Sequence, residues 1–141
     1  MLKVGLDIHG VIDFYPECFA RLGRMLIARG DEIHIVTGQE WDKAKVTVKK
    51  HRIPYTHHFS IVDYHLSIGT KMHKDEKDTW WMEDTIWIRS KGDYIHREKI
   101  DMHFDDGYRY AEYCPDFCTF ILVPKINFTS FYELLVNGIN T

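Results

Sequence analysis

The chain has 141 residues, the length of one domain, and its 45% hydrophobic and 28% charged residues are ordinary for a globular protein. A net charge of -3 gives no support for broad electrostatic binding to nucleic acid, and no apolar stretch is long enough to span a bilayer. The N-terminus lacks the pattern of a signal peptide, and the three cysteines have no spaced partner set. We therefore expect a cytoplasmic protein with reduced thiols.

The first apolar segment ends in a carboxylate and a glycine turn. Val4 and Leu6 precede Asp7, and Gly10 follows it. A carboxylate at the end of an apolar strand is costly to bury unless it is paired or binds a metal. Ligands of open α/β sheets bind just beyond the carboxyl ends of the strands. Asp7 is therefore the first candidate for chemistry.

Helical and extended segments alternate along the first half of the chain. Pro16 marks the start of a helix that ends at Gly30, and residues 32–38 form an apolar strand that ends in a hydroxyl and a glycine. A second helix is predicted over 40–51, and a third strand over 59–62.

Residues 63–90 are the least regular part of the sequence, and a further helix is predicted to begin near Ser90 and to contain Lys91. The remaining predicted elements are a strand over 100–106, a short helix over 108–113, a last strand over 117–123 and a small helix near 131–135. Alternating strands and helices favour a three-layer α/β protein, a parallel sheet covered by helices on both faces. With no repeat and no linker, residues 1–141 are predicted to form a single domain.

Three of the predicted strands end in groups that suit phosphate and metal chemistry. Asp7 follows the first strand, Thr37 ends the second, and Asp105 and Asp106 end the fourth. The carboxyl ends of parallel strands lie at one edge of a sheet, so we expect these groups to meet there. Carboxylate oxygens suit Mg²⁺, and the helix N-terminus after Thr37 can hold a phosphate oxygen. Lys91 is expected to neutralise charge, with Lys71, Lys74 and Lys77 as competitors for that role.

Four segments in this order resemble the four motifs of the haloacid dehalogenase (HAD) superfamily of phosphohydrolases. They are Asp7-Ile8-His9-Gly10-Val11, Ile35-Val36-Thr37-Gly38, Lys91, and Met102-His103-Phe104-Asp105-Asp106. The resemblance covers nearly the whole chain and implies a Rossmann-like, HAD-like parallel sheet. Only one helix fits between Val11 and Ile33, and residues 63–90 are long enough for a lid-like loop but not for a folded cap. The chain therefore resembles the members without a cap domain.

The resemblance also implies a Mg²⁺-dependent phosphatase. Asp7 would attack phosphorus to form an aspartyl-phosphate, while Thr37 and Lys91 would hold the phosphoryl group. Asp106 would orient a metal-bound water or the lysine. The implied metal ligands are Asp7, the backbone carbonyl of His9, Asp105 and Asp106, and the implied catalytic residues are Asp7, His9, Thr37 and Lys91.

His9 stands where the family has the second aspartate of its first motif, which acts as general acid and base. An imidazole donates and accepts protons near neutral pH, so catalysis can survive with a different pH profile. The change can equally suit a substrate with a good leaving group, or accompany weak activity. The metal bond from the backbone carbonyl does not depend on this side chain.

The sequence leaves the substrate and the class of function open. A site without a cap suits a large phosphorylated substrate, or a small one enclosed by a second subunit of a homo-oligomer. Trp80 and Trp81 could stack on a base, which keeps a nucleotidase or a polynucleotide end phosphatase in view, although such a pair is more typical of a core. A non-catalytic phosphate-binding or interaction module is the alternative from another class. His57, His58, His65 and His73 have no compact zinc spacing and are expected at the surface or in loops.

Overall fold

A computed structural model of the chain describes residues 1–124 and Asn137. Its strands are β1 (Lys3–Leu6), β2 (Glu32–Thr37), β3 (His57–Ser60), β4 (His73–Lys74), β5 (Trp80–Trp81), β6 (Met102–Asp105) and β7 (Thr119–Leu122). Its α-helices are α1 (Pro16–Ala28), α2 (Trp41–Lys50), α3 (Ile61–Ser67) and α4 (Asp84–Glu98). An irregular turn, Ile8–Ile12, follows β1, and a 3₁₀ helix, Tyr108–Tyr113, follows β6.

Five parallel strands form the central sheet in the order β3-β2-β1-β6-β7. Leu6 of β1 lies beside Ile35 of β2 on one side and Phe104 of β6 on the other. The inner strands β1 and β2 are buried over nearly their whole length, since helices cover both faces of a parallel sheet. The predicted α/β class, with a parallel sheet flanked by helices, is confirmed.

Local signals placed the first elements correctly. Helix α1 begins at Pro16, and Gly30 follows its end with a φ of +86°, a left-handed conformation that glycine adopts at little cost. The strand predicted over 59–62 is wrong in its bounds, because β3 ends at Ser60. The Ser60 hydroxyl accepts a hydrogen bond from the amide of Asp63 at 3.1 Å, so Ile61 already begins α3.

Helix α4 begins at Asp84, six residues before the predicted start near Ser90. Ile88, Lys91 and Ile95 share its buried face. The sequence pattern missed the first turns because no capping side chain marks their start: Glu83 occupies the N-cap without a side-chain hydrogen bond. Lys91 therefore lies in the interior of the helix rather than at its start.

The stretch predicted to be irregular contains α3 and a small antiparallel hairpin of β4 and β5. The Asp75 carboxylate accepts hydrogen bonds from the amides of Lys77 and Thr79 and from the indole of Trp81, which holds the turn together. Trp80 is half-buried, but Trp81 is 52% exposed, so the expectation of a core pair is wrong for Trp81.

Two expectations concern the ends of the chain and the membrane. The small helix predicted near 131–135 lies outside the described residues. Within the described part, none of the helices has the length and apolar character that crossing a membrane requires.

Helix α4 lies very close to the 3₁₀ helix, and Gly92 allows that approach. A Cβ at residue 92 would clash with the backbone carbonyl of Tyr113. Alanine normally stabilises a helix relative to glycine, but Gly92→Ala should destabilise this protein by about 1–3 kcal/mol, since either backbone must move. Chemical unfolding of Gly92→Ala measures this loss. Asp93→Ala, at the exposed neighbouring position, should leave the free energy of unfolding almost unchanged; equal effects of the two substitutions would contradict the close approach.

Candidate functional site

The carboxyl ends of β1 and β6 bring three carboxylates together. Asp7 follows β1 directly, Asp105 is the last residue of β6, and Asp106 comes next. The Asp7 amide donates to the carbonyl of Phe104 at 3.0 Å, so the two strand ends stay side by side. One oxygen from each of the three carboxylates lies within 4.8 Å of the others. The predicted meeting of Asp7, Asp105 and Asp106 at one sheet edge is therefore what the fold produces.

The ammonium group of Lys91 reaches this edge from α4. Its Nζ lies 2.7 Å from Asp105 Oδ2 and 3.2 Å from Asp7 Oδ1, and the lysine is only 2% exposed. The ring of Tyr110 covers it, with 4.2 Å between Nζ and the ring centroid. The competing Lys74 pairs instead with Asp78 in the hairpin, so Lys91 is the lysine at the carboxylates.

Burial and neighbouring charges shift the pKa values of Asp7 and Asp105 in opposite directions. Burial raises the pKa of Asp7 above its ordinary value; Lys91 opposes this rise and Asp105 adds to it. Burial would also raise the pKa of Asp105, but the hydrogen bond from His103 and the charge of Lys91 outweigh it and hold that pKa well below its usual range. Burial alone would lower the pKa of Lys91, yet Asp7 and Asp105 raise it, so the lysine stays protonated.

His103 is a site residue that the sequence reasoning did not single out. It is fully buried, and its Nε2 donates to Asp105 Oδ2 across 3.0 Å. Its ring packs against Gly5, where a Cβ would come within 2.5 Å of Nδ1. The sequence did contain a signal for this pair: His103 and Asp105 are two residues apart on β6, so their side chains lie on the same face of the strand.

Gly10 fixes the turn after Asp7. Its φ is +75°, and a Cβ there would clash with the carboxylate of Asp106. The glycine therefore allows the turn after β1 to lie directly against the acidic pair after β6. This is the structural reason for a glycine three residues after the first carboxylate.

A cavity of about 380 Å³ opens beside the carboxylates. Asp7, His9, Lys91 and Asp106 line it. Thr37 is fully buried at the end of β2, where its hydroxyl accepts the amide of Gln39 at 3.2 Å. The cavity wall at this strand end is formed by the residues after Thr37, namely Gly38, Gln39 and Glu40. Asp7, His9, Lys91 and Asp106 thus meet around one space, and Thr37 lies behind its wall.

His9 places an exposed imidazole at the mouth of this cavity. Its side chain is 65% exposed, and Nδ1 lies 3.2 Å from Asp13 Oδ2. The other oxygen of Asp13 accepts the amide of Gly10 at 2.7 Å. Asp13 therefore ties the His9 ring to the turn that carries it.

A second cavity, of about 590 Å³, adjoins the first and is rich in aromatic side chains. Thr79, Trp80, Trp87, Asp106 and Tyr110 line both cavities. The indole of Trp87 donates to the Tyr110 hydroxyl at 2.8 Å, which fixes the wall between them. The second cavity also includes Trp81, Met82 and Tyr108, the last of which is 74% exposed.

The donor set fits a hard divalent cation. With all groups ionised, three carboxylates face one ammonium, which leaves two negative charges that a divalent ion would balance. Asp105 already accepts hydrogen bonds from Lys91, His103 and Gly107, and a carboxylate has room for one more partner. Oxygen ligands from Asp7, Asp105 and Asp106 are the type that Mg²⁺ prefers.

Comparison with known proteins adds no relative: no family model matches the chain, and no curated protein or solved structure is significantly similar to it. The interpretation of the site therefore depends on its residues and their geometry.

Removal of the Lys91 ammonium should destabilise the fold, because two buried carboxylates then lack a counter-charge. Lys91→Met keeps the length of the side chain but leaves Asp7 and Asp105 buried without their cation, so the free energy of unfolding should fall by about 3–5 kcal/mol. Urea unfolding in the absence of divalent ions measures this fall in the free energy of unfolding. Lys71→Met, at an exposed position, is the matched control. Equal unfolding midpoints for the two variants would contradict the pairing.

Proposed function

We propose that the chain is a HAD-like, Mg²⁺-dependent phosphatase that hydrolyses phosphoric monoesters through an aspartyl-phosphate on Asp7. The observation that carries the proposal is the contact of Asp7 with Lys91 at the floor of an open cavity, at the sheet edge where Asp105 and Asp106 also lie. A buried carboxylate that faces a ligand cavity and is oriented by an ammonium is arranged as a nucleophile.

The reaction proceeds in two steps on this chain. An oxygen of Asp7 forms a bond to phosphorus while the bond from phosphorus to the ester oxygen breaks, and the alcohol leaves with a proton. Water then attacks the phosphorus of the aspartyl-phosphate, which releases inorganic phosphate and restores Asp7. Lys91 stabilises the negative charge on the phosphoryl oxygens in both steps.

The residues around the nucleophile divide the remaining tasks. Asp7, Asp105, Asp106 and the His9 carbonyl would hold Mg²⁺, which supplies positive charge that favours ionised Asp7 and screens its approach to the phosphate. Thr37 would position the loop of Gly38 and Gln39 at the cavity wall, because its hydroxyl accepts the amide of Gln39. His103 and Gly107 hold Asp105 in place through its two oxygens.

We assign the proton transfer to His9. Its imidazole lines the cavity beside Asp7, and Asp13 orients it. A protonated imidazole can supply the proton that the leaving alcohol needs, and the neutral ring can take one from the attacking water. His9 thereby takes the task that the family gives to its second aspartate.

Asp7→Asn tests the nucleophile. The amide keeps the shape of the side chain but cannot form the acyl phosphate, so phosphate release should fall by at least about a thousandfold, while the circular dichroism spectrum stays that of the wild type. The assay is phosphate release from a panel of phosphomonoesters with Mg²⁺ and with EDTA.

Asp42→Asn, an exposed substitution on α2, should keep full activity. A wild-type protein that releases no phosphate from any ester in the presence of Mg²⁺ would contradict the phosphatase. Binding of phosphate compounds without turnover would instead support the alternative, a phosphate-binding module.

The aromatic cavity favours a nucleotide, or a nucleic-acid end, as the phosphate-bearing substrate. A phosphate at Asp7 would place the rest of its ester beside Trp80 and Trp87, which line both cavities. Aromatic side chains stack on bases of any sequence, and each such contact contributes about 1–3 kcal/mol. A cavity of about 590 Å³ is large enough for a nucleoside.

Trp80→Ala separates this substrate class from smaller esters. It should lower kcat/KM for nucleoside monophosphates at least tenfold, through loss of stacking, and leave kcat/KM for glycerol phosphate within about threefold. Phe117→Ala, an exposed aromatic residue that lines neither cavity, is the control. A parallel loss for both substrates would assign Trp80 to the fold rather than to substrate selection.

A further inference from the structure

A second cluster of ligating side chains lies toward the opposite end of the central sheet. Glu32 begins β2, His34 follows two residues later, and His57 begins β3. Glu32 and His34 are two residues apart on β2 and therefore lie on the same face of the strand. His34 pairs in register with His57 of β3. These strand starts lie far from Asp7, which follows the carboxyl end of β1.

The two imidazoles and the carboxylate converge. The rings of His34 and His57 are stacked, with centroids 4.4 Å apart and planes 8° from parallel. Glu32 Oε2 lies 2.8 Å from His34 Nε2 and 3.9 Å from His57 Nδ1. One ligand atom from each of the three residues lies within 4.8 Å of the others.

We propose that Glu32, His34 and His57 form a transition-metal site, with Zn²⁺ as the matching ion. Two imidazoles and one carboxylate are a typical three-residue zinc ligand set, and the fourth position is left to water. Tetrahedral zinc ligands at about 2.0–2.2 Å lie roughly 3.3–3.5 Å apart. Because the lone pair of an imidazole nitrogen lies in the plane of its ring, the exposed His57 ring must turn out of its stack on His34 to direct Nδ1 at the same ion. The nitrogen donors disfavour Mg²⁺, which sets this cluster apart from the three carboxylates.

Neighbouring groups already orient these ligands. The Tyr94 hydroxyl lies 2.8 Å from His34 Nδ1, so it holds the ring whose Nε2 faces Glu32. His57 Nδ1 contacts Thr56 Oγ1 at 2.9 Å. Thr56 Oγ1 also accepts the amide of Ile33 and donates to its carbonyl, both at 3.0 Å. The threonine therefore stays satisfied when His57 turns to a metal.

The site is open on one side and faces one competing cation. His34 is fully buried, while the His57 side chain is 48% exposed, which leaves a path for the ion. Lys3 Nζ lies 3.5 Å from Glu32 Oε2 and donates to the carbonyl of Glu98 at 3.0 Å. A metal ion would displace Lys3 from Glu32 but not from Glu98.

Zinc titration by calorimetry tests the proposal on the full chain, without a polyhistidine tag and with excess Mg²⁺. We expect one equivalent of Zn²⁺ to bind at this cluster and to raise Tm, and Co²⁺ to give the visible absorption of a tetrahedral site. His57→Gln and Glu32→Gln should weaken this binding at least tenfold. Lys3→Met should strengthen it, because it removes the competing ammonium.

His58→Gln is the matched control. His58 is exposed on the same strand but stacks on Trp41 at 3.9 Å, on the other face, so its loss should leave zinc binding unchanged. Equal zinc affinity in His57→Gln and the wild type would overturn the proposal, as would the absence of any zinc-dependent rise in Tm. These readouts do not depend on phosphatase activity, so either proposal can fail alone.

Discussion

The contact of one buried ammonium with two buried carboxylates is the constraint on which the rest of the structure depends. Lys91 compensates the charge of Asp7 and Asp105 in a place where water cannot. For Lys91 to reach them, α4 must lie close to the 3₁₀ helix, which requires Gly92. The backbone pairing of β1 with β6 holds the two carboxylates side by side, and the cavity opens where Lys91 meets Asp7.

The sequence was sufficient for the parallel sheet and for the meeting of Asp7, Asp105 and Asp106, because strand ends carry their polar residues to one edge. It failed at the ends of elements. No side-chain hydrogen bond caps the start of α4 at Glu83, and the hydroxyl of Ser60 ended β3 two residues early. Hydrophobic periodicity does not record such boundaries, because they depend on single capping side chains.

The two ends of the sheet differ in the chemistry that they can support. Hard carboxylate oxygens and an ammonium collect at the carboxyl edge, whereas imidazoles join one carboxylate near the start of β2 and β3. The histidines His57 and His65 were expected at the surface or in loops. His57 is exposed as expected, with its ring stacked on the buried His34, whereas the expectation is wrong for His65, which is buried between the hydroxyls of Thr70 and Ser90. Their roles became visible only once the strands and helices were placed side by side.

The β4–β5 hairpin is held beside the cavity by exposed ion pairs rather than by a buried one. Asp78 at its turn pairs with Lys43 of α2 and with Lys74, and all three side chains are at least 38% exposed. Such pairs weaken as ionic strength rises, since the Debye length is about 8 Å at physiological salt, whereas the buried Lys91 is screened far less. Lys43 also lines the cavity, so an anion that enters it meets an exposed, salt-sensitive lysine before the buried one. For the proposed phosphate ester, ionic strength should therefore act on capture and leave the bond-breaking step nearly untouched.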